Sequence, residues 1–183
     1  MNTPAFIKLL TTWVLGTMIN LQPHAPWETS YGRTAEVLAK IAAEEPLFAG
    51  EDGPRKTASW FVSVAWFESN FNPKAEGDCR VQDAKKRCIA QPQSFCLFQI
   101  GSSNFASLGV NLHAIMNDPE VCTRAARKMM KISIGVCRSR PIEDWLGQYA
   151  SGGENCGGLV ESRHRVNKAK WIFGRFPWAS PGE

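Results

Sequence analysis

Apolar residues recur along this chain mostly at three- and four-residue intervals. The clearest run is Trp60-Phe61-Val62-Ser63-Val64-Ala65-Trp66-Phe67-Glu68-Ser69-Asn70-Phe71-Asn72-Pro73. As a helix, it puts Phe61, Val64, Ala65 and Glu68 on one face, so a carboxyl group shares the stripe that should be buried. Pro73 disfavours helix at Asn72 and ends the helix within about a turn of Glu68. Apolar neighbours and the negative end of the helix dipole both favour the protonated carboxyl, which is the form a general acid needs. The competing reading is a glutamate at a helix end that turns out to solvent.

The same periodicity predicts further helices. Leu9, Trp13 (or Thr12), Gly16 and Ile19 fit an amphipathic helix within residues 1–21 that packs on the domain. Ala35, Leu38, Ala39 and Ala42 mark a helix over residues 32–45, stopped by Pro46. Asn117-Asp118-Pro119-Glu120 is a helix start with an acidic cap and Pro in the first turn. It opens a helix burying Cys122, Ala125, Ala126, Met129 and Ile132 or Ser133, with Arg124, Arg127, Lys128 and Lys131 on a solvated outer face. Residues 139–144 start another helix with the stripe Ile142, Trp145, Leu146 and Tyr149, ended by Ser151-Gly152-Gly153. A last helix spans residues 159–173, followed by an aromatic tail with Phe176 and Trp178. Residues 74–95 are polar, charged and cysteine-bearing, which reads as a surface loop braced by a disulfide, with room for a small hairpin. The fold class is therefore mainly α, a single domain. Residues 1–54 form helices packing on a core of residues 55–173, and residues 174–183 form a tail.

Composition narrows the function classes. A chain of 183 residues with 44% hydrophobic and 21% charged positions supports a sizeable core, and a net charge of +4 suits an anionic polymer or cell surface. Dense Lys/Arg clusters are lacking, so nucleic acid is not the expected partner. Residues 1–21 are too short and too polar for stable membrane insertion, and as an export signal they have a barely basic start and no small-x-small cleavage site before Pro23. Six cysteines without a Cys-x-x-Cys pair point to disulfides and an oxidising compartment rather than zinc. Of the 15 possible pairings, the preferred set is Cys79 with Cys88, Cys137 with Cys156, and Cys96 with Cys122. His24, His113 and His164 are isolated, no metal or cofactor is called for, and a monomer is expected.

Three polar residues lie on apolar stripes: Glu68, Gln99 (in Ser94-Phe95-Cys96-Leu97-Phe98-Gln99-Ile100-Gly101) and Tyr149. Gln99 must either satisfy backbone groups or face a ligand. An acid, an amide and a phenol together suit glycoside cleavage, and Tyr149 is positioned to donate to Glu68.

The segment Glu68-Ser69-Asn70-Phe71-Asn72-Pro73-Lys74-Ala75 resembles the catalytic Glu-Ser signature of the soluble lytic transglycosylase family, related to goose-type lysozyme. Cys96-Leu97-Phe98-Gln99 is similar to that family's Gly-Leu-Met-Gln segment, and Gln148-Tyr149-Ala150-Ser151-Gly152 to its Ala-Tyr-Asn-x-Gly segment. Cys96, Phe98 and Ala150 depart from the family's glycine, methionine and asparagine. The resemblance covers about residues 55–173 and implies a lysozyme-like fold that cleaves peptidoglycan between N-acetylmuramic acid and N-acetylglucosamine. It implies Glu68 as general acid and then base, Ser69 as its support, and Tyr149 as the residue orienting the acid. Phe98, Gln99 and Ser151 would contact the glycan. The family works with one carboxylate and leaves an anhydro sugar; a muramidase would need a second, and Glu76, Asp78 and Asp83 are available. The alternatives are such a hydrolase, or a lysozyme-like binding or structural protein without turnover. The implied location is periplasmic or extracellular, including delivery by lysis or a virus particle.

Overall fold

The computed structural model describes residues 3–77 and 92–176. The expected Cys79–Cys88 disulfide, Asp78, Asp83 and Trp178 lie outside the described residues.

The fold is mainly α. Eight helices are present among the described residues: α1 (Pro4–Leu21), α2 (Tyr31–Glu44), α3 (Gly53–Ser69), α4 (Phe105–Leu108), α5 (Leu112–Asn117), α6 (Pro119–Cys137), α7 (Gly147–Ser151) and α8 (Leu159–Arg175). One continuous core runs from Leu10 in α1 to Ile172 in α8, so the N-terminal helices and the region after them share an interior. The boundary expected at residue 54 falls inside the first turn of α3.

α3 is the axis of the molecule. Phe61, Val64 and Ala65 are fully buried, as the periodicity predicts, but so are Val62 and Ser63, because α3 is packed between α2 and α8. The helix ends at Ser69. Asn70 and Phe71 both take left-handed backbone (φ 50° and 64°), and Phe71 N donates to Ala65 O at 3.3 Å, closing the orphan carbonyls. Phe71 is thereby turned into the core against the edge of Tyr31.

The other helices follow local signals with instructive exceptions. In α1 the buried face is Leu10, Trp13, Val14, Thr17 and Met18, one position round from the expected stripe, and Ile19 is 40% exposed. Apolar residues surround this helix, so its periodicity is shallow, and Thr17 enters the core by donating its hydroxyl to Trp13 O at 2.8 Å. By length and composition α1 is apolar enough to cross a membrane, a property that core helices and signal sequences share. Asp118 caps α6 by accepting from Glu120 N at 2.8 Å. Along α6, Met130 takes the buried place expected of Met129, and Ser133 is buried while Ile132 is 47% exposed.

The basic side of α6 is not merely solvated. Arg124 contacts Glu44, Glu45 and Glu120, Arg127 pairs with Glu45 at 2.8 Å, and Lys40 reaches Glu120 at 3.0 Å. Together they fasten α6 to the C-terminal end of α2. The single helix expected over residues 139–151 is broken instead into a 3-10 turn (Ile142–Asp144) and the short α7. Two buried serines compensate for the break. Ser162 of α8 accepts from Leu146 N at 3.0 Å, and Ser133 of α6 donates to Trp145 O at 2.8 Å and accepts from Tyr149 N at 3.0 Å.

Among the described residues the strands are three of two residues each, β1 (Glu76–Gly77), β2 (Ser94–Phe95) and β3 (Ile100–Gly101), paired antiparallel in that order. β1 and β2 pair across the base of the cysteine-bearing loop, where a small hairpin was expected. Cys96–Cys122 pins the β2–β3 turn to α6, and Cys137–Cys156 ties the end of α6 to the segment leading into α8, both as expected. At the far end of α8, Arg55 donates to the carbonyls of Phe173 and Phe176 at 2.6 and 3.0 Å, capping the helix from α3.

Candidate functional site

The end of α3, the β2–β3 turn, α7 and the first half of α8 meet around a cleft of about 780 Å³. Glu68, Gln99, Tyr149 and Ser151, four of the six residues expected to act, line it together with Ser94, Asn104 and Arg165. Glu68 is neither protruding into solvent nor sealed in apolar surroundings: its side chain is 16% exposed.

Arg165 brings a cation beside Glu68 that the sequence reading does not include. Its Nε donates to Glu68 Oε1 at 2.9 Å and its Nη2 lies 2.8 Å from the same oxygen, with the arginine side chain itself only 12% exposed. A guanidinium at this distance favours the ionised carboxylate, whereas apolar neighbours and the helix dipole favour the neutral one. Arg165 is itself located by Ser63, whose hydroxyl donates to Arg165 O at 2.6 Å. The only local hint in the sequence is that Arg165 flanks the stripe of Ser162, Val166, Ala169 and Ile172 that buries α8.

Tyr149 sits beside Glu68, but its hydroxyl does not donate there. It donates to Phe98 O at 2.7 Å, because that loop carbonyl is aimed into the cleft wall. Burial first, and the Glu68 charge second, push the phenol well above its ordinary value, so Tyr149 stays a neutral donor across the physiological range. Phe98 therefore contributes its carbonyl. Its ring is fully buried against Phe61, with centroids 5.9 Å apart, and is not presented to the cleft as a glycan contact. Ser69 does support the end of α3: its hydroxyl bridges Leu97 O at 2.8 Å and Ala65 O at 3.0 Å, tying the helix to the turn.

Gln99 both satisfies backbone and faces the cleft. Its amide nitrogen donates to Cys96 O at 3.0 Å and its oxygen accepts from Ser94 Oγ at 2.8 Å. Cys96 and Gln99 both adopt left-handed backbone (φ 65° and 50°), a region that glycine enters without steric cost and that other residues seldom adopt. In this chain the Cys96–Cys122 bond and the hydrogen bond from Cys96 N to Ala75 O at 2.9 Å hold a residue with a side chain there. Gly77 leaves room for the amide: a Cβ at this position would lie 2.0 Å from Gln99 Oε1.

Ser151, Asn104, Ser94 and Gly101 give the walls a polar lining fit for hydroxyl-rich ligands. Asn104 and Arg165 belong to no motif noted in the sequence. Glu76 is exposed on β1, and among the described residues lining the cleft Glu68 is the sole carboxylate. Comparison with known proteins finds no matching family model, curated protein or solved structure.

Proposed function

We propose that the protein is a peptidoglycan lytic transglycosylase with a lysozyme-like fold, cutting between N-acetylmuramic acid and N-acetylglucosamine with Glu68 as its acid and base. The observation that carries this reading is the convergence of Glu68, Gln99 and Tyr149, one from each of three separate sequence motifs, on one polar cleft.

In the first step Glu68, entering in its protonated form, gives its proton to the glycosidic oxygen while the C1–O bond breaks, leaving positive charge on the sugar ring. Arg165 then stabilises the carboxylate so formed. In the second step the muramyl 6-hydroxyl attacks C1 and gives its proton to Glu68, closing an anhydro ring and restoring the acid, so no proton is consumed. Hydrolysis would instead require a second acid to hold water. Tyr149 and Phe98 O fix the wall behind the acid, and Gln99 and Ser151 offer hydrogen bonds to the sugar. The Cys96–Cys122 and Cys137–Cys156 bonds suit a periplasmic or extracellular setting, including release by lysis or from a virion.

A second reading, a glycan-binding protein without turnover, is favoured by the Glu68–Arg165 pair, because an ionised glutamate is a poor acid. Mass spectrometry of material released from purified peptidoglycan separates the possibilities. Anhydro ends are expected from the parent protein and none from Glu68→Gln, whose amide oxygen still accepts from Arg165. Reducing ends would mean a muramidase, and no release would favour the binding reading.

A further inference from the structure

Beyond Arg165, the paired surfaces of α3 and α8 carry a row of rings and cations that the cleft chemistry does not use. The Arg165 guanidinium lies 5.8 Å from the Phe67 ring centre, and Phe67 stacks on His164 with centroids 6.4 Å apart and planes within 18°. Trp66 meets Phe67 edge-on, with centroids 4.9 Å apart. Lys168 Nζ then stands 4.5 Å from the centres of both the Trp66 and Trp171 rings.

Phe67 is 40% and Trp171 46% exposed, a large solvent cost for two aromatics that the core does not require. The rings are held in place: Lys168 and Arg165 fix their faces by cation–π contact, which lowers the entropy a ligand would otherwise have to remove. From Arg165 to Trp171 the helix rises about 9 Å, so the strip leads away from the cleft edge without interruption.

We propose that this strip is an accessory surface for the length of glycan leaving the cleft past Arg165. Its exposed aromatic faces would take sugar rings, and Lys168 and His164 the carboxylates of attached peptides. The proposal rests on the glycan-cleaving reading for its ligand, and two features favour that ligand: the strip is continuous with the cleft, and its cations complement a polymer bearing acidic peptides.

The test is co-sedimentation with purified insoluble peptidoglycan, run in a Glu68→Gln background so that nothing is cut. Trp171→Ala and Lys168→Glu are each expected to weaken binding about fivefold or more, with melting temperature retained. In the cutting protein the same changes should slow release from intact sacculi while leaving turnover of a short soluble muropeptide tetrasaccharide unchanged. Undiminished sedimentation of both variants overturns the surface and leaves the role of Glu68 untouched. Weakened sedimentation in a protein whose parent releases no sugar supports the surface and overturns the catalytic reading. Binding of the parent to anionic phospholipid vesicles but not to peptidoglycan, lost in both variants, overturns the proposal in favour of a membrane-facing patch.

Discussion

Replacing Arg165 with methionine keeps most of the side-chain volume and removes the charge beside Glu68. Two unit charges 2.8 Å apart attract by roughly 6 kcal/mol at an effective dielectric of 20, a gross figure that the desolvation of both groups largely offsets. The cost of Arg165→Met is the carboxylate left in place: with 16% of its side chain exposed, Glu68 recovers little hydration. Breaking such a pair costs about 3–5 kcal/mol, and the lower end applies here because both partners keep some contact with water. A loss of about 3 kcal/mol lowers the melting temperature by roughly 6–12 °C in a chain of this size. Chemical denaturation at pH 7 measures that loss, and a variant as stable as the parent would refute this account of the pair.

Three further outcomes are expected. Gly77→Ala drives a Cβ into Gln99 Oε1, so it should cut glycan release severely while changing stability by only about 1–2 kcal/mol, checked by paired activity and unfolding assays. Ser133→Ala strands Tyr149 N–H and Trp145 O inside the protein; a loss of about 1–3 kcal/mol is expected in urea unfolding, and no change would mean the broken helix has other support. Glu120 is held below the usual carboxylate range by hydrogen bonds from Arg124 and then Lys40. Its contribution, at most about 1 kcal/mol for so exposed a network, is therefore present above the ordinary value of about 4.3 and fades as pH falls through the lowered one. Glu120→Gln should match the parent in acid and fall below it at neutral pH in thermal unfolding.

Local chemistry made much of this molecule legible in advance. α3 ends at Ser69, within the turn after Glu68 that Pro73 allows, Asp118 caps α6, and four cysteines pair as in the preferred set. Each is a short-range effect or one with few alternatives. The Glu68–Arg165 contact is neither: it joins residues 97 apart, and a helical stripe tells which face is buried without telling what it meets. The segment from Ile142 to Tyr149 looked like one helix because its apolar spacing is helical. The serines that make a break tolerable come from α6 and α8, and although Ser133 lies on the α6 stripe, nothing in that stripe tells which backbone groups it meets. Strands of two residues are too short for alternation to register.

The distance in sequence between Glu68 and Arg165 also orders events during synthesis. α3 and the β2–β3 turn leave the ribosome long before α8, so a nascent chain can form the helix bearing the glutamate while its cation, and the wall behind it, do not yet exist. Ser63 and Ser162 find their partners only when α8 docks. A chain stopped before residue 159 would carry every motif that marks the cleft and still lack an assembled one. The cleft is thus complete only once α8 has docked, as a step rather than by degrees.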